Sequence, residues 1–539
     1  MCEFERWLNN AEDGEVKDEL LAIVGNEREI EDRFYKNLAF GTGGLRGVIG
    51  AGTNRMNIYT VGKATFGLAE YMLKSGGKSI VIAYDSRNKS AEFARLAAEI
   101  MSARGIKAHL FPELTPTPVL SFAVRYLKAD VGIVITASHN PKEYNGYKVY
   151  NSNGCQITDD AAAAITREID KFDFFNKFTP NEELISTVSD EVGLEFIKTI
   201  KEFSLTAIDE KNAPAIVYSP LHGTGRKYVQ KILSEIGIKN LRTVAEQEMP
   251  DGNFTTCPYP NPEEKAALSL VLRDAEIYKP DLVMATDPDA DRIGIAVPDE
   301  NGEYVLLNGN ETGCILLYYI LLKKKENGSL KSNATAVKTI VTTDLIFDMA
   351  QEFGINVKEV LTGFKYIGEA MDTLENYLFG LEESYGYLIG THARDKDAVS
   401  AAMLIAEACA YFKGEGKSLY SVLGEIYKRY GYYTTSLKSV SMPGKDGMER
   451  MAELLKSIRQ NPLKQLGGKE LVFDDFKDGI FGLPKSDVLR FKNNDYRLII
   501  RPSGTEPKIK IYMQARGVTP EKSAEMIAEM DSLINEMIK

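Results

Sequence analysis

Short apolar runs alternate along this chain with longer segments whose apolar residues recur at helical spacing. Ser79-Ile80-Val81-Ile82-Ala83-Tyr84 reads as a buried strand between helices expected over Tyr59–Ser75 and Ser90–Arg104. Lys107–Phe111 and Val131–Thr136 are again strand-like. The rhythm restarts at Ala215–Tyr218, which leads through Gly223-Thr224-Gly225 to a helix over Arg226–Ile236, and Asp281–Thr286 follows as another strand. It restarts once more with Thr339-Ile340-Val341-Thr342 ahead of a helix near Leu345–Phe353. Strands alternating with helices predict α/β layers with largely parallel pairing. The stretch up to Ala39 reads as helical, and the tail differs from the rest. Leu498–Ile500 and Ile509–Tyr512 read as neighbouring strands joined by Arg501–Pro507, with a helix over Pro520–Ile538 behind them. The expected fold is therefore three α/β domains and a smaller C-terminal α+β domain. Linker-like composition near Ala207–Pro214, Asn327–Ala334 and Thr434–Gly444 sets the expected boundaries at 1–207, 208–328, 329–436 and 437–539.

Composition narrows the function. With 44% hydrophobic and 26% charged residues over 539 positions, there is material for several cores and no case for a disordered chain. The 65 basic and 77 acidic residues leave a net charge of −12, which disfavours nucleic acid as a partner. Five scattered cysteines, with no CxxC pair, suggest neither a disulfide framework nor a structural zinc site. The N-terminus lacks the basic and apolar regions of a signal peptide, and Cys314–Leu322 is too short to span a bilayer. The expectation is a soluble cytoplasmic protein without a membrane partner, monomer or dimer.

Four constellations can carry chemistry. Thr136-Ala137-Ser138-His139-Asn140-Pro141 follows an apolar strand, where ligands of α/β sheets bind. Its serine can serve as nucleophile or phosphoryl carrier, and the same residues also make a polar turn. Asp287, Asp289 and Asp291 alternate directly after another buried strand, in Thr286-Asp287-Pro288-Asp289-Ala290-Asp291-Arg292. Three carboxylates so placed suit a hard cation. An EF-hand is excluded, because its glycine and glutamate positions hold Arg292 and Pro298. Glu382 and Ser384, in Gly380–Gly386, can bond sugar hydroxyls. Arg501, Ser503, Gly504 and Thr505, in Arg501–Pro507, can cradle an anion, although Pro and Gly also make a plain hairpin turn. The glycine-rich Gly41–Gly47 is not a dinucleotide fingerprint, but its Arg46 can reach a phosphate.

In this order the four segments resemble the α-D-phosphohexomutase superfamily, the phosphoglucomutases and phosphomannomutases. Gly-Thr-Gly-Gly-Leu-Arg-Gly at the start and Glu-Glu-Ser-Tyr-Gly-Tyr later are most similar to the phosphoglucomutase-2/phosphopentomutase-like branch. The resemblance implies four domains round a central active-site cleft, carrying in turn a phosphoserine loop, a metal loop, a sugar-binding loop and a phosphate-binding loop. It implies that Ser138 carries a phosphoryl group and that Mg²⁺ is held by Ser138, Asp287, Asp289 and Asp291. Glu382, Ser384, Thr362, Gly363, Arg292, Arg501, Ser503, Gly504 and Thr505 would bind the sugar phosphate. Lys148, Arg46, His139 and Lys396 are the implied candidates for proton transfer, with Lys148 as general base if burial and nearby cations lower its pKa. The implied reaction interconverts glucose 1-phosphate and glucose 6-phosphate through glucose 1,6-bisphosphate, which is intermediate and activator. Mannose, ribose or deoxyribose phosphates are the alternative substrates, and a non-catalytic sugar-phosphate-binding protein is the alternative class.

Overall fold

The computed structural model describes residues 2–41, 43–442, 445–502 and 508–538. The first sheet comprises β1 (Leu45–Val48), β2 (Ser79–Tyr84), β3 (Lys107–Leu110), β4 (Val131–Ile135), β5 (Tyr144–Asn151) and β6 (Ile185–Thr187), in the order β1-β5-β4-β2-β3-β6. The second comprises β7 (Ile216–Ser219), β8 (Leu241–Thr243), β9 (Leu282–Thr286), β10 (Ile293–Pro298) and β11 (Tyr304–Leu307), in the order β11-β10-β9-β7-β8. The third comprises β12 (Thr335–Thr339), β13 (Asn356–Val360), β14 (Tyr377–Glu382) and β15 (Gly386–Ile389), in the order β13-β12-β14-β15. One unit recurs in all three: three parallel strands, the last of which turns back into an antiparallel neighbour. These are β3-β2-β4 with β5, β8-β7-β9 with β10, and β13-β12-β14 with β15. The parallel centre agrees with the sequence; the antiparallel return is added by the structure. β4 and β9 are buried at every residue, as expected for strands covered on both faces.

The fourth sheet is wholly antiparallel. It is built from β16 (Tyr432–Ser441), β19 (Val472–Asp475), β20 (Leu489–Lys492), β21 (Tyr496–Pro502) and β22 (Lys508–Gly517), in the order β16-β22-β21-β20-β19. A two-strand hairpin, β17 (Gln465–Leu466) and β18 (Lys469–Glu470), stands apart from it. The helix Pro520–Ile538 packs on β16 and β22.

Three expectations need correction. Thr434–Gly444 is no linker: as far as Ser441 it belongs to β16, paired along its length with β22. Its polar residues reflect an edge strand with one face towards solvent. The third-unit strand is Thr335–Thr339, earlier than Thr339–Thr342; Ile340 and Val341 are apolar because they pack against Phe476, Val488 and Ile499 of the last domain. The helix Gly309–Glu326, placed by sequence in the second domain, packs against β14 and the helices of the third sheet. The opening stretch is helical as expected, in three helices, Glu3–Asn10, Gly14–Ala22 and Glu27–Phe34, the later two restarted by Asp13 and Asn26 as N-caps.

One apolar cluster joins the first three domains through Phe196, Ile232 and Leu316, beside clusters of their own, whereas the fourth is built around Leu498, Ile511 and Met530. Among the described residues no helix is long and apolar enough to cross a membrane. The five cysteines are free.

Candidate active site

Three of the four constellations occupy the same turn of the recurring unit. Ser138 lies between β4 and β5, Asp287–Asp291 between β9 and β10, and Ser384 between β14 and β15. Each turn holds one non-glycine residue in the left-handed region: Ser138 at φ 53°, Ala290 at φ 51° and Tyr385 at φ 62°. Such conformations cost about 1–3 kcal/mol and persist where surrounding contacts impose them. The turns are tied to one another. Tyr385 accepts a hydrogen bond from the Ile293 amide at 3.2 Å, and Ala290 accepts one from the Ala398 amide at 3.2 Å. Gly223 backs the aspartate turn so closely that a Cβ there would lie 2.4 Å from the Pro288 Cα.

The Ser138 hydroxyl is buried and donates to Asp287 Oδ2 at 2.7 Å. His139 Nδ1 lies 3.2 Å from the same oxygen. Asp287 Oδ1 accepts the amides of Asp291 and Arg292 at 3.1 and 3.0 Å. Ligand oxygens of Asp287, Asp289 and Asp291 all lie within 4.8 Å of one another. Burial, with Asp289 and Asp291 beside it, pushes the Asp287 carboxyl well above its ordinary range. Asp289 Oδ1 and Asp291 Oδ1 are buried without a hydrogen-bond partner. Crowded carboxylates with orphaned oxygens fit a hard divalent cation, which takes oxygen ligands.

Two lysines reach this cluster from opposite domains. Lys148 of β5 donates to Asp289 Oδ2 at 2.8 Å and lies 3.6 Å from Asp291 Oδ2. Lys396 lies 3.1 Å from Asp291 Oδ2 and 3.2 Å from Asp395 Oδ1. Burial opposes the Lys148 ammonium, but Asp289 and Asp291 outweigh it and raise its pKa. The lowered pKa that a general base at Lys148 requires is thus not seen with these carboxylates beside it. His139 is the opposite case, driven well below its ordinary value by burial, Arg292 and Arg46. It is neutral and able to accept.

Glu382 is buried at the end of β14. Burial raises its carboxyl while Lys396 and Arg292 oppose the shift, and Ser384 is a hydrogen-bond partner. Arg292 pairs with Glu263 at 2.6 Å. Arg46 is exposed on β1, opposite Gly146 of β5. Thr362 and Gly363 precede the helix Phe364–Met371; Thr362 Oγ1 is buried without a partner, and Gly363 has φ 120°. Arg501 lies next to the end of β21 and is half-buried. Ser503, Gly504 and Thr505 lie outside the described residues.

Sequence reasoning missed five site residues. Arg87, buried against Asp85 at 3.3 Å, donates to the carbonyls of Ser138, Asn140, Pro141 and Tyr144. Asp85 also accepts from Thr136 Oγ1 at 2.6 Å, and that hydroxyl in turn accepts the Ser138 amide at 2.8 Å. The available signal was Asp85-Ser86-Arg87 at the end of β2, another strand-end turn. Thr117 donates its hydroxyl and its amide to Asp289, both at 2.9 Å. Tyr150 donates to Asp395 at 2.8 Å, joining the first domain to the third. Lys510, half-buried on β22 directly opposite Arg501, has its pKa lowered by burial and by Arg501.

The fold is that of a four-domain α/β enzyme with a buried serine–carboxylate site where three domains meet. Models of the phosphoglucomutase/phosphomannomutase family match it in order: alpha/beta/alpha domain I at 37–176, domain II at 194–302, domain III at 308–430 and the C-terminal domain at 438–532. A phosphoglucomutase of Staphylococcus epidermidis is 36% identical over 94% of this chain and 95% of its own. A protein of Haemophilus influenzae named "Probable phosphomannomutase" is 38% identical over 90% of this chain and 98% of its own. The open form of parafusin, a phosphoglucomutase from Paramecium, superposes with a TM-score of 0.74 at 21% identity, covering 94% of this chain and 95% of that one. The chain belongs to the phosphoglucomutase/phosphomannomutase family. It is accordingly an intramolecular phosphotransferase, an isomerase.

Proposed function

We propose that this enzyme interconverts glucose 1-phosphate and glucose 6-phosphate, with Ser138 carrying the phosphoryl group between the two ends of the sugar. The observation that carries the role of Ser138 is its buried hydroxyl, 2.7 Å from Asp287 at the edge of three converging carboxylates. The choice of glucose rests on relatives named phosphoglucomutase at 34–36% identity over most of the chain.

Asp287, Asp289 and Asp291, with an oxygen on Ser138, would hold the cation, for which Mg²⁺ fits the all-oxygen donor set. When bound, such an ion neutralises charge that develops on a transferring phosphoryl group. The chain's own residues do the rest. Lys148 and Lys396 act as ammonium donors beside the carboxylates, and His139 as a neutral acceptor beside Ser138. Glu382 and Ser384 read sugar hydroxyls. Arg501, Ser503, Gly504 and Thr505 hold the phosphate that is not being transferred, with Lys510 as a neighbouring cation. Thr362, Gly363, Arg292 and Arg46 complete the lining.

In the forward half-reaction the phosphorus–oxygen bond to Ser138 breaks as one forms to the free sugar hydroxyl, whose proton is relayed through the cleft to the departing Ser138 oxygen. The product is glucose 1,6-bisphosphate. It turns over, and its other phosphoryl group returns to Ser138. Both orientations use the same hydroxyl readers and the same phosphate cradle, which is why one site serves both ends.

The test is conversion of glucose 1-phosphate with Mg²⁺ and a trace of glucose 1,6-bisphosphate, for wild type and Ser138→Ala. The wild type turns over, EDTA stops it, Mg²⁺ restores it, and Ser138→Ala is inactive. Full activity in Ser138→Ala would sink the assignment. Mannose 1-phosphate belongs in the same panel because of the Haemophilus relative; faster turnover of it would replace glucose as substrate.

A further inference from the structure

A second cavity lies at the far end of the third sheet. It measures about 380 Å³, within the range of small-molecule sites. Phe203 and Ser204, just beyond the helix Asp190–Lys201, form one wall; Lys324 and Lys331, at and after the end of the helix Gly309–Glu326, form another; Tyr377 and Thr391 form the third. β14 starts at this cavity with Tyr377 and ends in the cleft with Glu382. At a rise of about 3.3 Å per residue the two sites are roughly 16 Å apart.

Its charge is unbalanced. Among the described residues no carboxylate forms an ion pair with Lys324 or Lys331. Lys331 donates to the neutral Asn376 Oδ1 at 2.7 Å. Lys324 is half-buried, and burial together with the like charge of Lys331 pushes its pKa down. Glu202 lines the cavity too, and it and Lys331 are both exposed. Lysines at a helix C-terminus are expected from the backbone dipole. That accounts for Lys324 but not for Lys331, which comes from the following loop and lines the same hollow. Two neighbouring cations against one carboxylate leave the hollow net positive, which favours an anion. The aromatic rings of Phe203 and Tyr377 add a surface for a flat apolar body, and the hydroxyls of Ser204 and Thr391 add polar partners.

We propose that this cavity is a second ligand site, separate from the cleft, that takes a nucleoside monophosphate. Lys324 and Lys331 hold the phosphate, Phe203 and Tyr377 flank the base, and Ser204 and Thr391 bond the ribose hydroxyls.

The test is titration calorimetry with adenosine 5′-monophosphate, adenosine and ribose 5-phosphate, each with saturating glucose 6-phosphate in the cleft. The nucleotide binds, and each fragment binds at least about tenfold more weakly. The double variant Lys324→Gln/Lys331→Gln weakens the nucleotide by about tenfold or more while its glucose 1-phosphate turnover stays at the wild-type rate, which also certifies its fold. Equal nucleotide affinity in wild type and double variant overturns the site. No binding at millimolar nucleotide overturns it too. Ribose 5-phosphate binding as tightly as the nucleotide overturns the ligand class.

Discussion

Ser138 sits in a backbone conformation that a serine does not choose, and Arg87 is what holds it there. Its guanidinium spans the carbonyls of Ser138, Asn140, Pro141 and Tyr144, a reach that a planar fork has and an ammonium lacks. Burial pushes Asp85 up and Arg87 down, yet the pair is kept by Thr136 and Ser90 donating to the carboxylate. Arg87→Lys keeps the charge and loses the span, so Ser138 shifts relative to Asp287. A misplacement of that size costs about 10²-fold in kcat, with KM little changed because the Arg87 guanidinium is occupied by backbone carbonyls. Steady-state kinetics on glucose 1-phosphate decides it: a rise in KM with kcat intact would place Arg87 in substrate binding. Ser138 and the three aspartates were legible in the sequence because each follows a run of buried apolar residues and carries chemistry on its own side chain. Arg87 was not legible, since its partners lie some fifty residues on and are carbonyls, which every residue has.

At the scale of elements, the helix Ala398–Gly414 does more than cover the sheets. It starts beside the aspartate turn, and its buried Glu407 accepts the Leu205 amide at 3.0 Å and the Tyr319 hydroxyl at 3.3 Å. Glu407 Oε1 has no partner. Burial raises the carboxyl from 4.5 to about 6. A folded-state pKa above the unfolded one means that the folded protein binds the proton more tightly between those values. Stability from this group is therefore full below about pH 4.5 and is lost as pH rises through 6, by about 2 kcal/mol. Glu407→Gln removes that slope. Its Tm relative to wild type improves between pH 5 and pH 8, and a gap unchanged with pH would refute the argument. Helix and strand positions were read closely where periodicity was clean, as at Ser79–Tyr84 and Pro520–Ile538. They were misread where apolar residues serve another domain, as at Ile340 and Val341, or where an edge strand is half polar, as at Thr434–Ser441.

At the scale of the molecule, one large apolar cluster joins the first three domains, while the fourth is seated on the third by a charged cluster over a small apolar patch. The order of the four motifs was legible in the sequence; this unequal attachment was not, because it depends on side chains far apart in the chain. Arg497 of β21 pairs with Asp344 at 2.5 Å and donates to the carbonyls of Val341 and Thr342 at 3.2 and 2.7 Å. Arg490 of β20 reaches Glu359 at 3.2 Å, and Lys338 bridges Asp344 and Glu359 at 3.0 and 2.9 Å. Burial opposes ionisation of Asp344, but Arg497 and Lys338 outweigh it and hold the carboxyl down at about 2. The cluster thus stays ionised at any working pH, and its strength rests on geometry. Arg497→Met leaves buried carbonyls and Asp344 short of donors, at a cost of about 3 kcal/mol. Because the fourth domain has a separate core, that loss falls on its attachment before it reaches the rest. Calorimetry should resolve a new low-temperature transition ahead of the main one, and KM for glucose 1-phosphate should rise as Arg501, the proposed phosphate ligand on β21, loses its place beside the third domain. A single transition, shifted as a whole, would mean that the fourth domain unfolds in concert with the other three and that the charged seat is not what holds it.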